Sequence, residues 1–121
     1  MKGYMVVLVF AISLAWVGAG LAHEGEVHTQ SITGEVVDLA CYLGHGESGA
    51  GHRECARKCI ASGLPVGIKA GDTVYLAVGA EHGTANAALA ALAADEVTVE
   101  GEVSQRDGIH LVAIQKVTAK K

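Results

Sequence analysis

Val97-Thr-Val-Glu-Gly-Glu-Val-Ser-Gln-Arg-Asp-Gly-Ile-His-Leu-Val-Ala-Ile-Gln-Lys-Val-Thr118 is the most informative stretch of this chain for its fold. Val97, Val99, Gly101 and Val103 fall on one parity and Thr98, Glu100 and Glu102 on the other, the period of a strand with one dry face. Asp107-Gly108 then interrupts two apolar runs, which is the residue pair that a tight hairpin turn demands. A second strand is expected over Ile109–Thr118, with Ile109, Leu111 and Ala113 on one parity and a less regular phase near Ile114 and Val117. On this reading His110, opposite Ile109 and Leu111, faces outward.

Further strands are expected upstream. Thr73–Val78 alternates Val74, Leu76 and Val78 with Thr73, Tyr75 and Ala77, and Gly71-Asp72 separates it from a short Val66–Lys69 strand as a turn would. Thr29–Tyr42 carries Ile32, Val36 and Val37 among threonines, with Gly34 suited to a bend. Two helices complete the set. His52–Ser62 pairs an apolar side of Ala56, Ile60 and Ala61 with Arg53, Arg57 and Lys58, and stops at Gly63 and Pro65. Thr84–Ala94 is Ala-rich, with Thr84 as cap and Leu89 and Leu92 to dock it. Five strands with two short helices predict a mainly β protein, a small barrel of the oligonucleotide/oligosaccharide-binding (OB) type.

Residues 1–22 read as an export signal. Lys2 precedes an apolar stretch from Tyr4 to Trp16, and small residues lead to Ala22. The apolar stretch is short for a permanent span, so no stable membrane span is expected after cleavage and residues 23–121 form a single barrel domain. The expected location is periplasmic or secreted. The formal charge is −4, loss of Lys2 makes it one unit more negative, and the aromatics after residue 22 are Tyr42 and Tyr75. Nucleic acid is excluded as a partner on that balance, because backbone binding and base stacking need the residues this chain lacks.

The chemistry is concentrated in Cys41-Tyr-Leu-Gly-His45-Gly-Glu-Ser-Gly-Ala-Gly-His52-Arg-Glu-Cys55-Ala-Arg-Lys-Cys59, which holds all three cysteines. Gly44–Gly51 is too glycine-rich for regular structure and reads as a loop. His52, Cys55 and Cys59 are spaced three and four apart, which places them on one helix face. With Cys41 brought in from the end of the first strand, and His45 in reserve, they form a candidate soft-metal site, since thiolates and imidazole suit Cu(I) and Zn. Copper ranks ahead of zinc because the set is sulfur-rich and because cleavage after Ala22 would leave an amino-terminal His23, with His28 close behind, as a second copper chelator.

Three other readings stand beside it. A structural disulfide from Cys41 to Cys55 or Cys59 would suit a small exported domain but leaves a third thiol. Thiol redox chemistry would use Cys55 near the helix start, although Cys-x-x-x-Cys is not the usual redox spacing. Nucleophilic hydrolysis fits poorly, because Glu54 points away from the face shared by His52 and Cys55. Turnover is therefore not expected, and the partners envisaged are an envelope protein or a metal donor or acceptor. Glu81 and His82 read as solvent-facing loop residues.

The phrases Ile32-Thr-Gly-Glu-Val-Val-Asp-Leu-Ala-Cys-Tyr42, the His45-Gly loop, His52-x-x-Cys-Ala-x-x-Cys59, Gly63-x-Pro-x-Gly67 and Val97-x-Val-x-Gly-x-Val resemble a group of small exported bacterial proteins with a barrel of this kind and no settled function. The resemblance spans most of residues 30 to 118. It implies the architecture and export and brings no reaction with it.

Overall fold

The computed structural model describes residues 27–120. The expected export signal and the amino-terminal His23 lie outside the described residues. Five strands, β1 (His28–Asp38), β2 (Val66–Ala70), β3 (Thr73–Gly79), β4 (Glu96–Arg106) and β5 (Ile109–Ala119), close into a barrel in the order β1-β2-β3-β5-β4. Every pairing is antiparallel except β3 with β5. A parallel pair needs a long crossover, and here the chain between β3 and β5 supplies it as a helical segment followed by β4. The expected OB-like barrel is thus the observed one.

Closure depends on two backbone approaches. A Cβ on Gly101 would stand 2.2 Å from the Ala113 carbonyl oxygen, and one on Gly34 would stand 2.5 Å from that of Lys69. At Gly101 the β4–β5 register also shifts: Gly101 pairs with Ile114, and Glu100 pairs with Lys116. Gln115 is the extra residue of this bulge, and it explains the irregular phase near the end of β5. Inward positions step by two up to Ile114 and then by three to Val117.

Inside lie Ile32, Val36, Ile68, Val97, Val99, Val103, Val112 and Ile114. Helix α2 (Arg53–Ala61) covers the barrel with Ala56 and Ile60, and the short α3 (Asn86–Leu89) adds Leu89. Asn86 Nδ2 donates to the carbonyls of Ile60 and Leu64, both at 2.7 Å, which ties α3 to the end of α2. At the other end of α2, Arg53 donates to the Ala93 carbonyl at 3.0 Å and pairs with Asp95 at 2.5 Å.

Several local expectations are corrected. The first strand stops at Asp38, not Tyr42, because the Asp38 carboxylate accepts the Ala40 amide at 3.0 Å and starts a helix, α1 (Leu39–His45). Aspartate is among the best helix caps, and α1 ends at Gly46 in the left-handed region, φ 72°. The Ala-rich helix is also shorter than expected. It passes after Leu89 into a 3-10 turn, Ala90–Leu92, and Ala94 has φ 62°.

On β3 and β5 the dry face is opposite to the one the alternation suggested. Ala77 is buried and Tyr75 packs on the core, while Val74, Leu76 and Val78 are half-buried on the other face. His110 shares the inward parity of Val112 and Ile114 and meets the Tyr75 ring edge-on at 5.4 Å between centroids, whereas Ile109 is 67% exposed. Val74, Leu76 and Ile109 instead line an open groove of about 390 Å³ with Leu39 and Leu43. Both faces of these strands are apolar, so a period of two cannot say which one is the core.

Candidate metal centre

The cluster is assembled by the connection between β1 and β2. Asp38 caps α1, and Cys41 lies three residues later, so the first helical turn brings its thiol back over the cap. The loop after α1 is held to the barrel by Glu35, whose carboxylate accepts the Gly49 amide at 2.5 Å. It then enters a 3-10 turn, Ala50–His52, that runs into α2. His52 closes that turn, and Cys55 and Cys59 follow on α2. The Leu39 amide donates to the Pro65 carbonyl at 2.9 Å, which fastens the start of α1 to the chain just after α2, and the Leu64 amide closes the end of α2 on the Cys59 carbonyl at 3.1 Å.

The result is two groupings that share one sulfur. The Sγ atoms of Cys41, Cys55 and Cys59 lie within 4.8 Å of one another, and so do the donor atoms of Asp38, Cys41 and His52. Sulfurs around one ion at about 2.3 Å are roughly 4 Å apart in a trigonal sphere, so a small inward movement of the thiols would close on a cation. Cys55 is exposed, while Cys41 and Cys59 are half-buried, and all three are free thiols. The cluster is therefore reachable from solvent through Cys55 and walled by protein elsewhere.

Its electrostatics disfavour the empty, ionised state. The Asp38 carboxylate, chiefly through its hydrogen bond with the Cys41 thiol, pushes that thiol up from 9.0 to about 12, with burial, the charge of Asp38 and the two other cysteines adding to the effect. Burial, followed by the charge of Asp38 and the neighbouring Cys55, pushes Cys59 up as well. A bound cation reverses this logic, because it stabilises the thiolates that the carboxylate opposes.

Of the residues singled out from sequence, Cys41, Cys55 and Cys59 are brought together, and His52 is brought to Cys41 but not into one grouping with Cys55 and Cys59. His45 is exposed at the end of α1 and belongs to neither grouping. Glu81 and His82 are exposed in a 3-10 turn after β3. Asp38 is the residue that sequence reading missed. Its signal was its place three residues before Cys41 at the end of an apolar run, where a carboxylate caps the helix and faces the thiol at once.

Comparison with known protein families, with curated proteins and with solved structures finds no match to this chain. What the molecule itself offers is the cluster: a Cys/His grouping beside an OB-like barrel, with a geometry able to coordinate a metal ion. Among the described residues no helix is long and apolar enough to cross a membrane.

Proposed function

We propose that this is an exported protein that binds a soft metal ion, Cu(I) ahead of Zn(II), through Cys41, Cys55 and Cys59, with His52 at the edge of the site. In this reading it has no turnover of its own and exchanges the ion with a donor or acceptor in the cell envelope. The observation that carries it is the convergence of three sulfur donors from two helices within 4.8 Å. Soft thiolates in low coordination suit Cu(I) best among biological cations. The exposure of Cys55 suits exchange, since an incoming ligand can displace one thiolate while two hold the ion. The raised Cys41 thiol speaks against nucleophilic catalysis at that residue, because an activated cysteine needs a depressed pKa.

The test is thiol protection. The reduced protein is alkylated anaerobically with and without one equivalent of Cu(I) or Zn(II), and the modified cysteines are counted. Slowed alkylation of Cys41, Cys55 and Cys59 together supports the reading. Unchanged rates at all three refute it. The proximity of the sulfurs also favours a second reading, a structural bridge from Cys41 to a cysteine of α2 in an oxidising compartment. Alkylation before reduction separates the two, because a bridged protein exposes one thiol and a metal-loaded protein regains three on chelation.

A further inference from the structure

Two buried polar atoms at this cluster lack ordinary partners: His52 Nε2 has none, and Asp38 Oδ2 has none beyond the thiols that the carboxylate faces. Asp38 is only 1% exposed, and the His52 side chain 13%. Buried polar atoms are seldom left unpaired, and each costs the desolvation that a partner would return. The other end of Asp38 is engaged, and that of His52 faces a carboxylate across a gap. Asp38 Oδ1 accepts the Ala40 amide at 3.0 Å, and His52 Nδ1 lies 3.9 Å from Glu47 Oε2. Closing that 3.9 Å gap would give the carboxylate-backed imidazole found when histidine ligates a metal.

We infer that the cluster holds a second cation, a borderline divalent ion of the Zn(II) class, on Asp38, Cys41 and His52, with the Cys41 sulfur bridging it to the ion on the three thiolates. This rests on the proposed metal-binding reading and extends it. The donor atoms of the mixed triad lie within 4.8 Å of one another. Zn(II) with oxygen, nitrogen and sulfur ligands at about 2.0–2.3 Å needs them roughly 3.3–3.8 Å apart, the same small closure that the thiolate triad needs. Carboxylate, imidazole and thiolate together suit Zn(II), whereas Cu(I) is drawn to the all-sulfur side.

Charge points the same way. Ionised, the cluster carries three thiolates and one carboxylate. A single Cu(I) leaves most of that charge uncompensated in a half-buried place, where unpaired charge is costly. Cu(I) with Zn(II) leaves about one negative charge, which the open side at Cys55 can expose to water.

The reduced protein is titrated anaerobically with Cu(I) and then Zn(II), with stoichiometry read by native mass spectrometry and zinc affinity by competition with a chromophoric chelator. The expected result is one ion of each per chain. D38N keeps the cap acceptor, and with H52Q it should retain Cu(I) while zinc affinity falls at least about 100-fold, beyond the loss typical of an outer partner. C59S should lose tight Cu(I) and keep zinc. Circular dichroism confirms that each variant folds. A wild type that stops at one ion, with zinc affinity unchanged in D38N and H52Q, overturns the second site and leaves the thiolate site standing. Two ions bound equally by wild type, D38N and H52Q also overturn it. No ion in wild type overturns the underlying reading as well.

Discussion

Replacing Ile60 by alanine separates packing from ligation at this site. Ile60 is fully buried, one residue beyond Cys59, and anchors α2 on the barrel. The substitution removes three carbon groups, a transfer loss of about 2.4 kcal/mol at ~0.8 kcal/mol per group. A cavity term raises it to about 3–4 kcal/mol, within the range for such changes. For a domain of this size that lowers the midpoint of thermal unfolding by on the order of 10–20 °C. Metal adds a separate, calculable increment. Ligand at about 100 times its dissociation constant stabilises the native state by ~2.7 kcal/mol. Urea unfolding of the reduced protein, with and without Cu(I), should therefore show the I60A loss in both series and the same metal increment in wild type and I60A. C59S should abolish the increment. A cost below about 1 kcal/mol for I60A would refute the packing argument, and an undiminished increment in C59S would refute the ligand assignment.

G101A should destabilise by about 3 kcal/mol or more, since its Cβ meets the Ala113 backbone and not a yielding side chain; a cost under about 1 kcal/mol in urea would contradict the close approach. D38A should cost about 1 kcal/mol from the lost α1 cap, whereas D38N should cost measurably less. The metal-free, reduced protein should weaken at alkaline pH: the folded state raises the Cys41 thiol from 9.0 to about 12, so it favours the protonated form. That contribution is fully present below about pH 9 and is lost as pH climbs towards 12. Urea midpoints from pH 7 to 10.5 should fall at the alkaline end in wild type and fall less in C41S; equal slopes would contradict the origin assigned to the shift.

The barrel was legible because its strands alternate and Asp107-Gly108 marks the last hairpin. Other features required knowledge of neighbours. Whether Asp38 continues a strand or caps a helix is decided by where its carboxylate can accept an amide, and β-branched Val36 and Val37 just before it favoured the strand. The inward face of β3 and β5 was misjudged because Val74, Leu76 and Ile109 are as apolar as the residues inside, and their side of the sheet lines a groove with α1. The bulge at Gln115 showed in the sequence only as a broken period.

The site divides in the same way. His52, Cys55 and Cys59 share a face by local helical spacing, which survives any tertiary arrangement. Cys41 reaches them for a reason the sequence reading did not contain: it rides a helical turn after β1 and not a strand end. Asp38 escaped notice because an acidic residue after an apolar strand ordinarily signals a turn, and its second role depends on α2 returning over it. His45 was grouped with the cluster by proximity in sequence, but it sits on the exposed end of α1.

In the function proposed, the three cysteines exist to hold a metal. Native mass spectrometry of the protein purified from its own compartment, coupled to alkylation before and after chelation, tests it most directly. The expected result is a bound metal mass and three thiols that become modifiable only when the metal is removed. A metal-free chain two mass units below the fully reduced one, with a single modifiable thiol, would contradict it and leave a disulfide-tied barrel.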